Sequence, residues 1–210
     1  MSKGKLTLFA LPIASFSIWL WGGTPEELAP KGDQQVPFTT PSDFVLPASI
    51  EGIPLDYRDS WARITGFEFS GLHWNHFVVV YVNKGADIYN ENYFEYVNTF
   101  VEDDWGAEES EDEDAEFKAY EQGTIFLKEH YTANGGKPTD TSFVTLMEKK
   151  EPGYDPEFGD WRYVWIDGRS GEILQDGNSK NEVLNKSCIE CHANMADRDF
   201  VFATASRAGH

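Results

Sequence analysis

The sequence predicts an α+β fold, a predominantly antiparallel β-sheet with flanking helices in a single domain. Two observations carry this. Five strand-like runs succeed one another with short or polar connections, and segments with helical spacing stand before the first and after the last. With 40% hydrophobic and 15% aromatic residues in 210, the chain can bury one core.

Taken in order, residues 1–23 place Lys3 and Lys5 before an uncharged run from Leu6 to Gly23. That is the layout of a signal peptide or, because Trp19, Leu20 and Trp21 spoil a small-x-small cleavage pattern, of an uncleaved membrane anchor. Export is the expectation in either case. Residues 24–52, rich in Pro, Thr and Asp, read as an extended arm or linker, and residues 53–210 as the domain. "DYRDSWARITGF" predicts a helix, since Tyr57, Trp61 and Ile64 are spaced by four and three. The strands follow as "HFVVVYVN", "GTIFLKEHY", "SFVTLMEKK", "DWRYVWID" and "GEILQ", the last two joined by a Gly-Arg-Ser-Gly turn. "GNSKNEVLNK" then reads as helix leading into the C-terminal motif. A four-helix bundle is excluded by this order.

Alternation within the strands assigns faces. Phe126, Lys128 and His130 share one side of their strand, and Ile125, Leu127 and Glu129 the other; Phe143, Thr145, Met147 and Lys149 likewise share a side. A lysine in mid-strand either snorkels over the sheet edge or sets its amine against a buried group, and parity alone favours snorkelling.

The formal net charge of -19 excludes nucleic acid and anionic lipid as partners and would attract a basic redox partner. Residues 102–116, "EDDWGAEESEDEDAE", hold ten acids and no base and read as a solvated acidic insertion. A calcium loop is the competing reading, but the regular ligand spacing and turn glycine are lacking.

The only two cysteines lie in "SCIECHANMADRDFVF". A Cys-x-x-Cys pair serves a redox disulfide, a zinc site or haem attachment. Zinc lacks a second cysteine pair, and a thioredoxin-like pair opens its helix just after a strand, whereas here helix precedes the motif. Followed at once by His192, the pattern is the attachment signature of haem c. Two thiols about one helical turn apart meet the two vinyl groups of one porphyrin, with the next residue under the iron. Cys188 and Cys191 are thus the thioether candidates and His192 the proximal metal ligand, in a cofactor count of one. On the opposite side Met195 is too close in sequence to His192 to ligate, while Met147, His73, His76 and His130 remain open alternatives.

The order "YRDSW", "VVVYVN", "GTIFLKE", "GDWRYVWID" and "CIECHANMADRDFVF" resembles the cytochrome P-460 family, which includes the cytochromes c′-beta. The resemblance runs from about Ile53 to Phe202 and is most specific at Asp199, Val201 and Phe202 after the cysteine motif. It implies a periplasmic single-haem cytochrome, an antiparallel sheet, a homodimer and an open distal side that binds nitric oxide, another small diatomic or hydroxylamine. It also implies that Lys128, in Gly123-Thr124-x-x-x-Lys128-Glu129, lies near the haem, where some members bond this amine to the porphyrin as part of a catalytic site. Trp74 falls at the family's bulky distal aromatic. Thr145 falls near its acidic distal residue, a departure that speaks for ligand binding over hydroxylamine oxidation, the alternative activity.

Overall fold

The structure, a computed structural model, describes residues 44–46, 52–98 and 115–202, all within the compact unit Thr40–His210. The expected leader, most of the arm and all of the acidic run except Ala115 and Glu116 lie outside the described residues. Among the described residues seven strands form one antiparallel sheet: β1 (Ala62–Arg63), β2 (Glu68–Ser70), β3 (His76–Val82), β4 (Ile125–Asn134), β5 (Lys137–Lys149), β6 (Trp161–Asp167) and β7 (Ile173–Gly177). The spatial order is β1-β3-β4-β5-β6-β7, with β2 also on β3. All five expected strands are present, and β4 and β5 extend into a long hairpin closed at Gly135 and Gly136, whose φ of 58° and 74° suit glycine.

Two expectations need correction. The helix predicted over "DYRDSWARITGF" is a single turn, α1 (Tyr57–Ser60), after which Ala62 and Arg63 pair with Val82 and Tyr81 as β1. The open edge of β3 wins over local spacing: the Ile64 amide also bonds the Val80 carbonyl at 2.9 Å. Conversely, a helix α2 (Ala86–Tyr96) joins β3 to β4 in a stretch whose apolar residues form no clear stripe. It starts from Gly85 at φ 80° and is tied down by buried Asn92, which exchanges two hydrogen bonds with the Lys118 backbone at 2.8 and 2.9 Å.

Strand parity divides the core as expected. On one face Tyr57, Val79, Tyr81, Leu127, Tyr131, Val144 and Ile166 pack together. On the other, Val82, Phe126, Trp161 and Tyr163 receive Leu184, Ile189, Phe200 and Val201 from the C-terminal segment. Full burial of side chains such as Leu127 and Ile189 stabilises by about 1.5–3 kcal/mol each. The first face also buries Glu129 without exposure. Its carboxylate accepts from the Tyr57 hydroxyl, from Arg58 Nε at 2.7 Å and from the Tyr131 hydroxyl at 2.6 Å, as a buried charge requires. This pins β4 from behind, so that Lys128, the next residue, must face the other side. The extended Phe44–Leu46 segment covers the same face, its Val45 amide bonding the Gly168 carbonyl at 2.9 Å and Phe44 meeting Tyr131 edge-on.

Candidate functional site

The C-terminal helical run starts one turn later than expected. Asn181 caps it, its side chain accepting from the amides of Val183 and Leu184 at 3.0 and 3.2 Å. The run passes from α3 (Glu182–Leu184) through a π turn (Asn185–Ile189) into α4 (Glu190–His192) and a 3-10 turn (Ala193–Arg198). Leu184 and Ile189, both fully buried, fix it on the sheet. Cys188, Cys191 and His192 then line one side of a cavity of about 300 Å³ against that sheet face.

The residues after the motif explain its specificity. Asp199 and Phe200 take positive φ, 51° and 66°, a conformation costly for bulky residues and held here by three bonds to Asp199. Its carboxylate accepts from Lys149 Nζ at 2.5 Å and the Tyr120 amide at 2.8 Å, and its carbonyl from Trp161 Nε1 at 2.9 Å. The bend aims the Phe200 carbonyl at His192, whose Nδ1–H donates to it at 2.7 Å. That bond fixes the tautomer and leaves the Nε2 lone pair for a metal. Burial, with the Lys128 charge, lowers the His192 pKa to about 4, so the ring is neutral and ready to ligate near pH 7. Val201 and Phe202 complete this wall, Phe202 meeting the imidazole edge-on at 5.3 Å.

Across the cavity the strands present Lys128, Thr145 and Met147, and the β2–β3 turn presents His73 and Trp74. Lys128 thus faces the cavity, the less favoured of the two readings from parity alone. Its Nζ lies 2.9 Å from His73 Nε2, and burial lowers its pKa to about 8. His73 Nδ1 lies 2.7 Å from Ser70 Oγ. Burial and the Lys128 charge bring the His73 pKa down to about 3, so the ring is neutral, accepts from Lys128 at Nε2 and donates to Ser70 at Nδ1. Trp74 stands at φ 55°, stacked on Trp165 with centroids 5.0 Å apart and edge-on to Phe143 at 5.1 Å. It is 40% exposed, a lip rather than a core residue.

His76, His130 and Met195 do not line the cavity. His76 Nδ1 bonds the His73 carbonyl at 3.1 Å, and His130, fully buried, lies behind Thr145 with Nε2 3.0 Å from its Oγ1. Residues not singled out from the sequence also contribute: Glu68, Ser70, Tyr89 and Tyr163 line the cavity. Ser70 and His73 stand three apart, a spacing that signals such a bond; Tyr89 lies on the unexpected α2.

The donor set suits a haem. Two thiols and one imidazole nitrogen face a cavity whose apolar walls include Val78, Val80, Phe126 and Met147, with polar groups such as Lys128, His73 and Thr145 set among them. A redox dithiol is disfavoured, since burial pushes the Cys188 thiol up to about 11 where such chemistry needs it lowered. Zinc finds no support either: among the described residues no three His, Cys, Asp or Glu side chains are grouped to hold a metal ion. Compared with protein-family models, the chain matches the one described as Cytochrome P460 over residues 54–203. Compared with curated proteins, it gave no match.

Proposed function

The chain belongs to the cytochrome P460 family, a family of haem-binding cytochromes, and on that premise we propose that it is an exported mono-haem c-type cytochrome whose open distal site binds nitric oxide or a similar small ligand. Cys188 and Cys191 would carry the haem through thioethers and His192 would ligate its iron, which supplies a position for one small molecule and exchanges an electron. The observation that carries the reading is the state of the distal side chains. His73, the imidazole that lines the cavity there, has both nitrogens engaged, by Lys128 and by Ser70. His130 is bonded to Thr145 behind the wall, and Met147 packs against the apolar core. Neither of these imidazoles is thus poised as a sixth ligand among the described residues, and Trp74 stands at the mouth of the cavity.

A second reading, hydroxylamine oxidation, is favoured by one observation: the Lys128 amine shares the cavity with both cysteines and, with its pKa near 8, is partly unprotonated near neutrality, the state a cross-link to a porphyrin carbon requires; that link also removes a hydrogen from the carbon and one from the nitrogen and needs a two-electron oxidant such as a peroxide. That chemistry also needs a proton acceptor beside the substrate. Thr145 is not a base, and His73, with its pKa near 3, is a weak one. Ligand binding is therefore preferred. Location in the periplasm, a homodimer and a basic redox partner drawn by the net charge of -19 belong to the same proposal.

The test adds nitric oxide to the reduced protein and, separately, hydroxylamine with an artificial electron acceptor. Tight nitric oxide binding with little turnover is expected. A long-wavelength Soret band in the reduced protein together with acceptor-linked hydroxylamine oxidation, both lost in Lys128→Ala, would move the protein to the second reading.

A further inference from the structure

Thr145 and His130 form a pair on the distal side that ligand binding as proposed above does not yet use. The His130 ring is fully buried, stacked on Phe143 with centroids 4.2 Å apart and the planes 28° from parallel. Its Nε2 lies 3.0 Å from Thr145 Oγ1, while its Nδ1 is buried with no hydrogen-bond partner. A neutral imidazole carries one N–H. Were that hydrogen on Nδ1, a buried donor would stand unpaired among aromatic rings, the rarer and more costly fault; a bare lone pair there is the lesser one. The hydrogen therefore belongs on Nε2, and the ring donates to Thr145 Oγ1.

This fixes the direction of the next bond. With a lone pair of Oγ1 filled by His130, the threonine's own hydrogen needs a different acceptor, and no protein acceptor bonds it among the described residues. Thr145 lines the cavity, and its cross-strand neighbour there, Lys128, is occupied with His73. We propose that Thr145 is a hydrogen-bond donor to the small ligand held in this cavity, and that His130 is its positioning residue, holding the hydroxyl so that its hydrogen points inward. The pair supplies a neutral, fixed donor at the place where a carboxylate would instead accept. It stabilises a bound ligand with partial negative charge on its outer atom and does not take a proton from it.

The proposal rests on the open-site reading, and carbon monoxide on the reduced, haem-loaded protein separates the two. If wild type binds no carbon monoxide, the open site fails and this inference falls with it. If it binds, the C–O stretching frequency reports the donor. Thr145→Val should raise the frequency and speed ligand release by roughly three- to tenfold, the worth of one ordinary hydrogen bond. Thr145→Ser should stay near wild type. His130→Phe, which keeps a ring against Phe143 but has no N–H, should shift the frequency in the same direction as Thr145→Val. An unchanged frequency in Thr145→Val, or a Thr145→Ser variant shifted as far as valine, would overturn the donor role. An unshifted His130→Phe would overturn the positioning role. Nitrogen-15 spectra of the diamagnetic carbon monoxide complex read the tautomer independently of any activity: His130 protonated at Nε2 is expected, and protonation at Nδ1 would reject the argument.

Discussion

Glu129→Gln probes the device that holds the Lys128 strand in register. The wild-type carboxylate is unexposed and accepts three hydrogen bonds, from Tyr57, Arg58 and Tyr131. Burial and the adjacent Glu129 charge drive the Tyr57 and Tyr131 pKa values far above the usual phenol range, so both hydroxyls remain donors. An amide in place of the carboxylate keeps one acceptor oxygen and turns an NH2 group toward a donor. The variant loses one charge-assisted bond, worth about 1.5–3 kcal/mol, and leaves one buried hydroxyl unpaired at about 1–3 kcal/mol. The Arg58 side chain, 25% exposed, recovers part of its hydration, which keeps the total at about 4 kcal/mol. At roughly 2–4 °C per kcal/mol for a chain of this size, the melting temperature should fall by about 8–16 °C. Thermal unfolding followed by circular dichroism measures it, with the haem absorption spectrum recorded below the transition. That spectrum should be unchanged, because Glu129 sits on the face away from the cavity. A fall of less than about 3 °C would refute the claim that this buried carboxylate anchors the sheet.

Three further outcomes follow from the geometry. Lys128 has a folded-state pKa of about 8 against 10.5 for the free side chain, so the unfolded chain binds more protons between those values. The burial cost, at most roughly 3–4 kcal/mol, is therefore full below pH 8 and relieved as pH rises to about 10.5. Denaturant unfolding should show wild type gaining stability on Lys128→Met across that window, and a flat difference would contradict a free amine at this position. Gly159→Ala places a Cβ 2.5 Å from the Phe200 ring at a residue with φ 68°, so it should displace the Phe200 carbonyl from His192, perturb the haem spectrum and cost about 1–3 kcal/mol. Trp74→Ala, by removing the lip stacked on Trp165, should speed nitric oxide association measured by stopped flow while leaving the reduced spectrum nearly unchanged.

Most of the sheet was legible because β3 to β6 carry their own signal, runs of β-branched and aromatic residues, and β7 is joined to β6 by a glycine-containing turn. β1 and β2 were not legible. They are two and three residues long, and the β3 edge, not local preference, makes them strands. Helix α2 escaped for the complementary reason: a buried asparagine bonded to the chain at Lys118 holds it, a contact across 26 residues that no local period records. The proximal half of the site could be read off because Cys188, Cys191 and His192 are contiguous on one helical run. The distal half is assembled from β4, β5 and a turn at positive φ. Parity placed Lys128 and Thr145 on one face, but which histidine faces the cavity depends on the backbone turn at Trp74 and Asn75.

The proposed function rests on covalent attachment of one haem through Cys188 and Cys191, with His192 at its iron. Intact-mass spectrometry of the haem-loaded protein after denaturation and acid acetone extraction tests it. One haem should stay with the polypeptide, a cysteine-to-alanine change at both 188 and 191 should release it, and His192→Ala should keep the covalent haem but alter the iron's spectrum. A protein that gives up its haem to acid acetone, or retains it without either cysteine, would rule out attachment at these cysteines.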